Sequence, residues 1–212
     1  MIRRAWVDTN MAHEGLWEQL EKLDRQETAK RAGCQYLTEP DRYVVAMLGT
    51  QYVVNLAEKD ISSLQADSPS RPAPFLEQLC LLAYLINAND IPLAEKLVKA
   101  ESLPGGQFFF RGPHSLPTES LEKTFGGDPH GLIRASEQLG ATRCEFGDAS
   151  IRVYALPRIP LTLVIWRGDK EFAARASILF DQTAAAHLPL DALWAMVNLT
   201  VKTLVGAVEA SG

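Results

Sequence analysis

Leu156–Asp181, LPRIPLTLVIWRGDKEFAARASILFD, decides the fold of this 212-residue chain. Leu161–Arg167 (LTLVIWR) is an apolar, β-branched run that reads as a strand, and Gly168-Asp169 supplies residues that suit a turn. From Glu171 to Phe180, the residues Phe172, Ala174, Ala176, Ile178 and Phe180 fall at every second position. A period of two marks a half-buried antiparallel strand. Upstream, Pro157 and Pro160 interrupt the ladder after a strand at Ser150–Leu156. In that strand Ile151, Val153 and Ala155 share one face while Arg152 and Tyr154 share the other. Ala141–Phe146 forms a further strand, turned by Gly147-Asp148. Leu190–Val208 then closes the chain as an amphipathic helix, with Leu190, Leu193, Val197, Val201, Leu204 and Val208 on its buried side.

The first half extends the same pattern. A helix over about Met11–Ala32 is capped by Thr9 or Asn10 and ended by Gly33 in a left-handed turn. RYVVAML (Arg42–Leu48) and QYVVNL (Gln51–Leu56), joined at Gly49-Thr50, read as a hairpin. Leu64–Pro74, rich in Ser, Pro and Asp, reads as an exposed loop. Phe75–Asn87 (FLEQLCLLAYLIN) is a buried helix, and Pro92–Lys99 a short helix opened by proline. Leu103–Gly106 is a tight turn leading to Phe108–Phe110. Pro117–Phe125 is a helix stopped by Gly126-Gly127, and a further one runs from an Asp128 N-cap to Leu139-Gly140. Strands come in hairpin-like groups and do not alternate with helices. The expected class is therefore α+β: antiparallel β-sheet packed against helices, with a long C-terminal helix. It forms one domain over 1–212, or two lobes of about 1–66 and 73–212.

Composition narrows the function classes. The chain is 47% hydrophobic and 22% charged, with 26 acidic against 21 basic residues. A mildly acidic surface without a basic stripe gives no support for nucleic-acid binding. No apolar run approaches the ~18 residues of a membrane span, and no signal-peptide core follows Arg3-Arg4. A cytoplasmic location is expected. Cys34, Cys80 and Cys144 are odd in number and widely spaced, so this chain's cysteines are expected to carry neither a zinc site nor an iron–sulfur cluster.

Several segments in order carry a family resemblance: LLAYL (Leu81–Leu85), LPGGQFFF (Leu103–Phe110), GDAS (Gly147–Ser150), LPRIPLTLVIWRGDKEF (Leu156–Phe172), SILFD (Ser177–Asp181) and HLPLD (His187–Asp191). Together they resemble the family catalogued as domain of unknown function 3786. The resemblance implies a prokaryotic, cytoplasmic protein of a group frequent in anaerobes. Some similar proteins carry an attached four-cysteine iron–sulfur domain of the kind seen in corrinoid proteins. This chain lacks those cysteines, so any such cluster would belong to a partner. The resemblance brings no catalytic residues with it.

Candidate chemistry is spread over the chain. Asp169, Glu171, Asp181 and His187 form the sharpest acidic group. A straight strand rises ~3.3 Å per residue, which sets Asp169 and Asp181 ~30 Å or more apart and leaves Asp181 with His187 as the metal-ligand pair to consider. The competing role for Asp181 is to cap a short helix at Gln182–His187. Gly168–Glu171 is a solvated turn or, with Trp166 and Arg167, the rim of a ligand site. Arg158, between two prolines, can bind a carboxylate or phosphate, or form a structural ion pair. Phe108, Phe109 and Phe110 are core residues or the wall of an apolar pocket. Cys144 with His130 or His187 could form a nucleophilic pair, against the simpler reading of an inert thiol. No P-loop, GxGxxG, HExxH or GxSxG motif occurs.

The function expected from these features is a binding or accessory protein, linked through the family to anaerobic redox, iron–sulfur or corrinoid metabolism. Its partner would be a small-molecule ligand or a redox or corrinoid protein. The alternatives are an enzyme on a small planar or apolar substrate held between sheet and helices, near Trp166, Phe108–Phe110 and Arg158, and a structural partner docking through the Leu190–Val208 helix.

Overall fold

A computed structural model of the chain describes residues 9–65 and 68–209. The elements run α1 (Thr9–Glu21), α2 (Arg25–Ala32), β1 (Gln35–Thr38), β2 (Asp41–Met47), β3 (Thr50–Asn55), β4 (Asp60–Gln65), β5 (Ser68–Pro72) and α3 (Phe75–Asn87). The second half continues with β6 (Leu97–Lys99), α4 (Gly106–Phe109), α5 (Thr118–Phe125), α6 (His130–Ser136), β7 (Thr142–Cys144), β8 (Ala149–Leu156), β9 (Ile159–Trp166), β10 (Arg175–Asp181), α7 (Ala184–His187) and α8 (Leu190–Glu209). Two antiparallel sheets result, one a meander β1-β2-β3-β4-β5 and the other ordered β6-β10-β9-β8-β7. The α+β class and the long C-terminal helix follow as the sequence patterning predicts.

Alternation explains the second sheet. Ile151, Leu163 and Ile178 stand opposite one another, as do Val153, Leu161 and Phe180. This face is buried, and α5, α6 and α8 pack on the sheet. The opposite face carries Arg175, Ser177 and Leu179 beside Trp166, Val164 and Thr162. The buried apolar cluster is continuous from Trp17 and Tyr43 to Leu193 and Leu204. By length and a mean hydropathy of 1.2, α8 is long and apolar enough to cross a membrane, which corrects the expectation that no apolar run approaches that length. Its Leu193, Met196, Val197, Val201 and Leu204 are nonetheless buried, with α3, α5 and α6 against the helix. Val208, expected on the buried side, is exposed.

Five local expectations are corrected. The first helix breaks in two at Lys22–Asp24. The Asp24 carboxylate accepts the Glu27 amide and starts α2 afresh, while the Arg25 guanidinium donates to the carbonyls of Leu20, Glu21 and Leu23 at the end of α1. Gly33 ends α2 in the left-handed region as expected; the Thr9 or Asn10 cap lies outside the described side chains. The β2–β3 turn is Leu48-Gly49 rather than Gly49-Thr50, with φ of 48° and 76°. It is held by the Leu48 amide, which donates to Ala155 O of β8. The Ser/Pro-rich loop contributes β4 and β5. As the outer strand of its sheet, β5 tolerates Pro72, because no ladder bond is lost there. Pro92–Lys99 is not helical: Glu95 has φ 52°, the Ala94 amide donates to Asp181, and Leu97–Lys99 pair with β10. Finally, β10 starts at Arg175. Asp169 Oδ1 accepts the amides of Glu171 and Phe172, so those residues form a turn and Phe172 is exposed.

Candidate functional site

The short β6 determines where the molecule opens. It pairs with Leu179, Phe180 and Asp181, so among the described residues β10 runs on for four residues, Arg175–Ile178, without a strand on that side. A cavity of about 290 Å³ lies against this edge, lined by Lys99, Phe110, Ser115, Leu116 and Ser177 among others. A second, of about 440 Å³, is lined by Trp166, Arg175, Glu122 and again Lys99. Both touch Lys99, Ala176, Ser177 and Leu179, and so form one trough along β10.

Trp166 stands opposite Arg175 in the ladder, and the Arg175 guanidinium carbon lies 5.5 Å from its ring centroid, a cation–π contact. Glu122, on α5, accepts the Ala176 amide at 3.0 Å. Phe110 closes the far end, buried and 6.1 Å from Phe180 ring to ring. Among the described residues neither Lys99 nor Arg175 has a carboxylate within ion-pair distance.

The other predicted candidates lie elsewhere. Arg158 is a structural clasp. Its guanidinium donates to Arg31 O at 2.6 Å, Ile91 O at 3.0 Å and Lys30 O at 3.2 Å, and pairs with Asp90 at 2.9 Å. Its own amide donates to the Tyr84 hydroxyl, which in turn donates to Ala32 O. Asp181 does not cap α7, whose N-cap is Thr183 with no side-chain cap bond; its Oδ1 instead holds the turn before that helix, accepting the Thr183 hydroxyl and amide and the Ala94 amide. Burial pushes its carboxyl up, but these bonds outweigh burial and hold it below the usual carboxylate range. His187 is fully buried, with Nδ1 accepting the Asn89 amide at 3.4 Å and Nε2 without a partner among the described residues. Burial, then the nearby Arg158 charge, hold its pKa down. No cluster of three metal-ligating side chains occurs among the described residues.

Asp169 and Glu171 sit in the exposed 167–174 turn, where two amides hold the Asp169 carboxyl low. The three phenylalanines separate. Phe108 is 76% exposed, Phe109 stacks on His114 at 4.5 Å, and only Phe110 reaches the trough. Burial pushes the Cys34 and Cys80 thiols up to about 12. Cys144 lies near Thr142 O, and no hydrogen bond joins it to His130 or His187 among the described residues. The structure thus brings Trp166 and Phe110 to one trough and leaves Arg158, Asp169, Glu171, Asp181 and His187 out of its lining. Lys99, Glu122, Arg175 and Ser177 were not singled out in the sequence. The signal available for two of them was the polar phase of the β10 alternation, which places Arg175 and Ser177 on the face away from Ile178 and Phe180.

A match to the family described as Domain of unknown function (DUF3786) extends over residues 24–203. The chain belongs to this family. Every residue lining the DUF3786 trough falls within the matched span. No curated protein and no solved structure matches the chain.

Proposed function

We propose that this chain is a cytoplasmic binding or accessory protein serving anaerobic redox, iron–sulfur or corrinoid metabolism without a cluster of its own. The observation that carries binding is the trough on β10, where Lys99, Arg175, Glu101, Glu122 and the Trp166 indole ring line the strand edge beyond the end of β6. Groups that could have done chemistry are engaged in structure instead: the Arg158 fork on three carbonyls, Asp181 on the Thr183 turn. The metabolic setting is supported only by the resemblance to proteins fused to four-cysteine domains.

The test is direct. The purified chain is titrated under nitrogen with a corrinoid protein bearing a [4Fe–4S] cluster, at about 100 µM, enough to register an interaction of ~5.5 kcal/mol. Association that Arg175→Glu weakens about tenfold is expected. No association at that concentration overturns the redox-partner function. A second function, an enzyme on a small planar substrate, is favoured by the Trp166–Arg175 contact alone. An absorption band from a co-purifying flavin or tetrapyrrole, lost in Trp166→Ala, would select it.

A further inference from the structure

We propose that the chain pairs with a second copy of itself, edge to edge along β7, with Cys144 on the two-fold axis. The order β6-β10-β9-β8-β7 leaves β7 as an outer strand of its sheet. Its ladder to β8 runs over Thr142, Arg143 and Cys144. Thr142, Arg143 and Glu145 are exposed and Cys144 is half-buried. A concavity of about 540 Å³ beside the strand is lined by residues 143–149, all from the β7–β8 hairpin itself. An outer strand presents free N–H and C=O groups that template another strand.

Symmetry and charge select the occupant. A two-fold axis perpendicular to the sheet keeps each face on its own side, and directly opposed residues share a face. The axis must therefore pass through a residue that faces itself. An axis through Arg143 sets the two guanidinium groups against each other. An axis through Thr142 sets Arg143 against Ala141. An axis through Cys144 sets Arg143 of each copy opposite Glu145 of the other. Neither Arg143 nor Glu145 has an ion-pair partner among the described residues. Charges on an outer strand ordinarily repel a second strand. Here Arg-x-Glu, read in the opposite direction, is its own complement, so that protection spares a copy of this chain. In the same register Thr142 meets Phe146, which is 47% exposed.

The contact is short. Thr142–Phe146 supplies five residues from each copy, against roughly 20–30 a side in a standard stable interface, so the dimer forms and dissociates with concentration. Cys144 reports its register. Opposed Cα atoms of antiparallel strands lie ~4.5–5.5 Å apart, within the ~4.4–6.8 Å that a disulfide spans. One oxidised glutathione, attacked in turn, joins the two Cys144 thiols by one S–S bond and leaves as two glutathione thiols that carry the two protons. Cys34 and Cys80, whose thiols burial pushes up to about 12, do not compete for the reagent.

The experiment is sedimentation velocity on the full chain from about 10 µM to about 1 mM, a range that registers weak association. The sedimenting mass should rise from one chain toward two. Arg143→Glu and Glu145→Arg, each checked for an unchanged melting temperature, set like charges opposite one another and should each weaken self-association about tenfold or more. Mixed together, the two variants restore both opposite-charge pairs and should associate about as tightly as the native chain does. Oxidised glutathione should yield a Cys144–Cys144 disulfide by mass spectrometry. Cys144→Ser should lose that bond and keep the reversible dimer. A single chain at every concentration would overturn the proposal, as would self-association that neither charge reversal moves, which would belong to another surface. Failure of the mixed variants to associate, or Cys144 joined to glutathione and never to its copy, would overturn the register about Cys144 and with it the proposal.

Discussion

Replacing Arg158 by alanine removes the clasp between α2 and the 88–96 segment. The shortest bond, Nε to Arg31 O at 2.6 Å, is partly buried. A charge-assisted bond in that setting contributes ~1.5–3 kcal/mol. The bonds to Ile91 O, Lys30 O and Asp90 are exposed and contribute ~0.2–1 kcal/mol each. The sum is about 3 kcal/mol, since the Lys30–Asp90 ion pair at 2.9 Å survives and retains part of the connection. With a urea slope of ~2 kcal/mol per molar, the unfolding midpoint should fall by ~1.5 M at unchanged slope. Arg158→Lys should recover less than half of the loss, because one ammonium cannot reach three carbonyls arranged for a planar fork. Equilibrium urea titration followed by circular dichroism measures both variants. A midpoint within ~0.3 M of the native chain would refute the clasp and return Arg158 to the pool of ligand-binding candidates.

Other perturbations probe separate parts of the structure. Burial, and then the Arg158 charge, hold His187 below its ordinary value of 6.5; the unfolded chain binds this proton first, so the ring's contribution to stability is full above that pH and is lost as pH falls through the native value. Stability measured at pH 7.5 and 5.0 should drop less in His187→Gln than in the native chain, and equal drops would contradict the assignment. Gly49→Ala puts a Cβ 2.7 Å from Gln138 O and 2.9 Å from Leu139 Cα at φ +76°, a strain of at least ~2 kcal/mol that a thermal melt should show. With their pKa values pushed up to about 12, Cys34 and Cys80 are about one part in ten thousand thiolate at pH 8. Mass spectrometry should find both unalkylated by iodoacetamide until the chain is unfolded.

Strong local patterns were readable without coordinates. The alternation through Ile178 and Phe180 and the stripe of α8 each bury one face, which the sequence repeats at the right period, while the continuous apolar run at Leu161–Ile165 matches a strand buried on both faces. Weak elements were not readable. In β6 only Leu97–Lys99 pair, too short for any periodicity, and tertiary contacts from Asp181 and Arg152 override the helical look of Pro92–Lys99. The break in the first helix did leave a signal in Asp24-x-x-Glu27, a capping pattern inside an otherwise helical stretch. The alternation from Phe172 overran the strand because Asp169, a side chain, claims the amides that the ladder would need.

The site was less legible than the fold for a related reason. Arg158 had the chemistry of a ligand-binding residue, but its partners are carbonyls of Lys30, Arg31 and Ile91, and carbonyls leave no mark in a sequence. Lys99 and Arg175 look like ordinary surface cations until the short β6 and the long β10 set them along one edge. That edge is a difference in strand length, a property of pairing and not of either segment.

The most direct test of the binding edge is a backbone NMR map of the ¹⁵N-labelled chain with and without its bound partner. Perturbed and newly exchange-protected amides should concentrate at Arg175–Leu179, with changes at the Trp166 indole and Glu122. Perturbations confined to the outer side of α8 or to the 167–174 turn, with β10 unchanged, would contradict it.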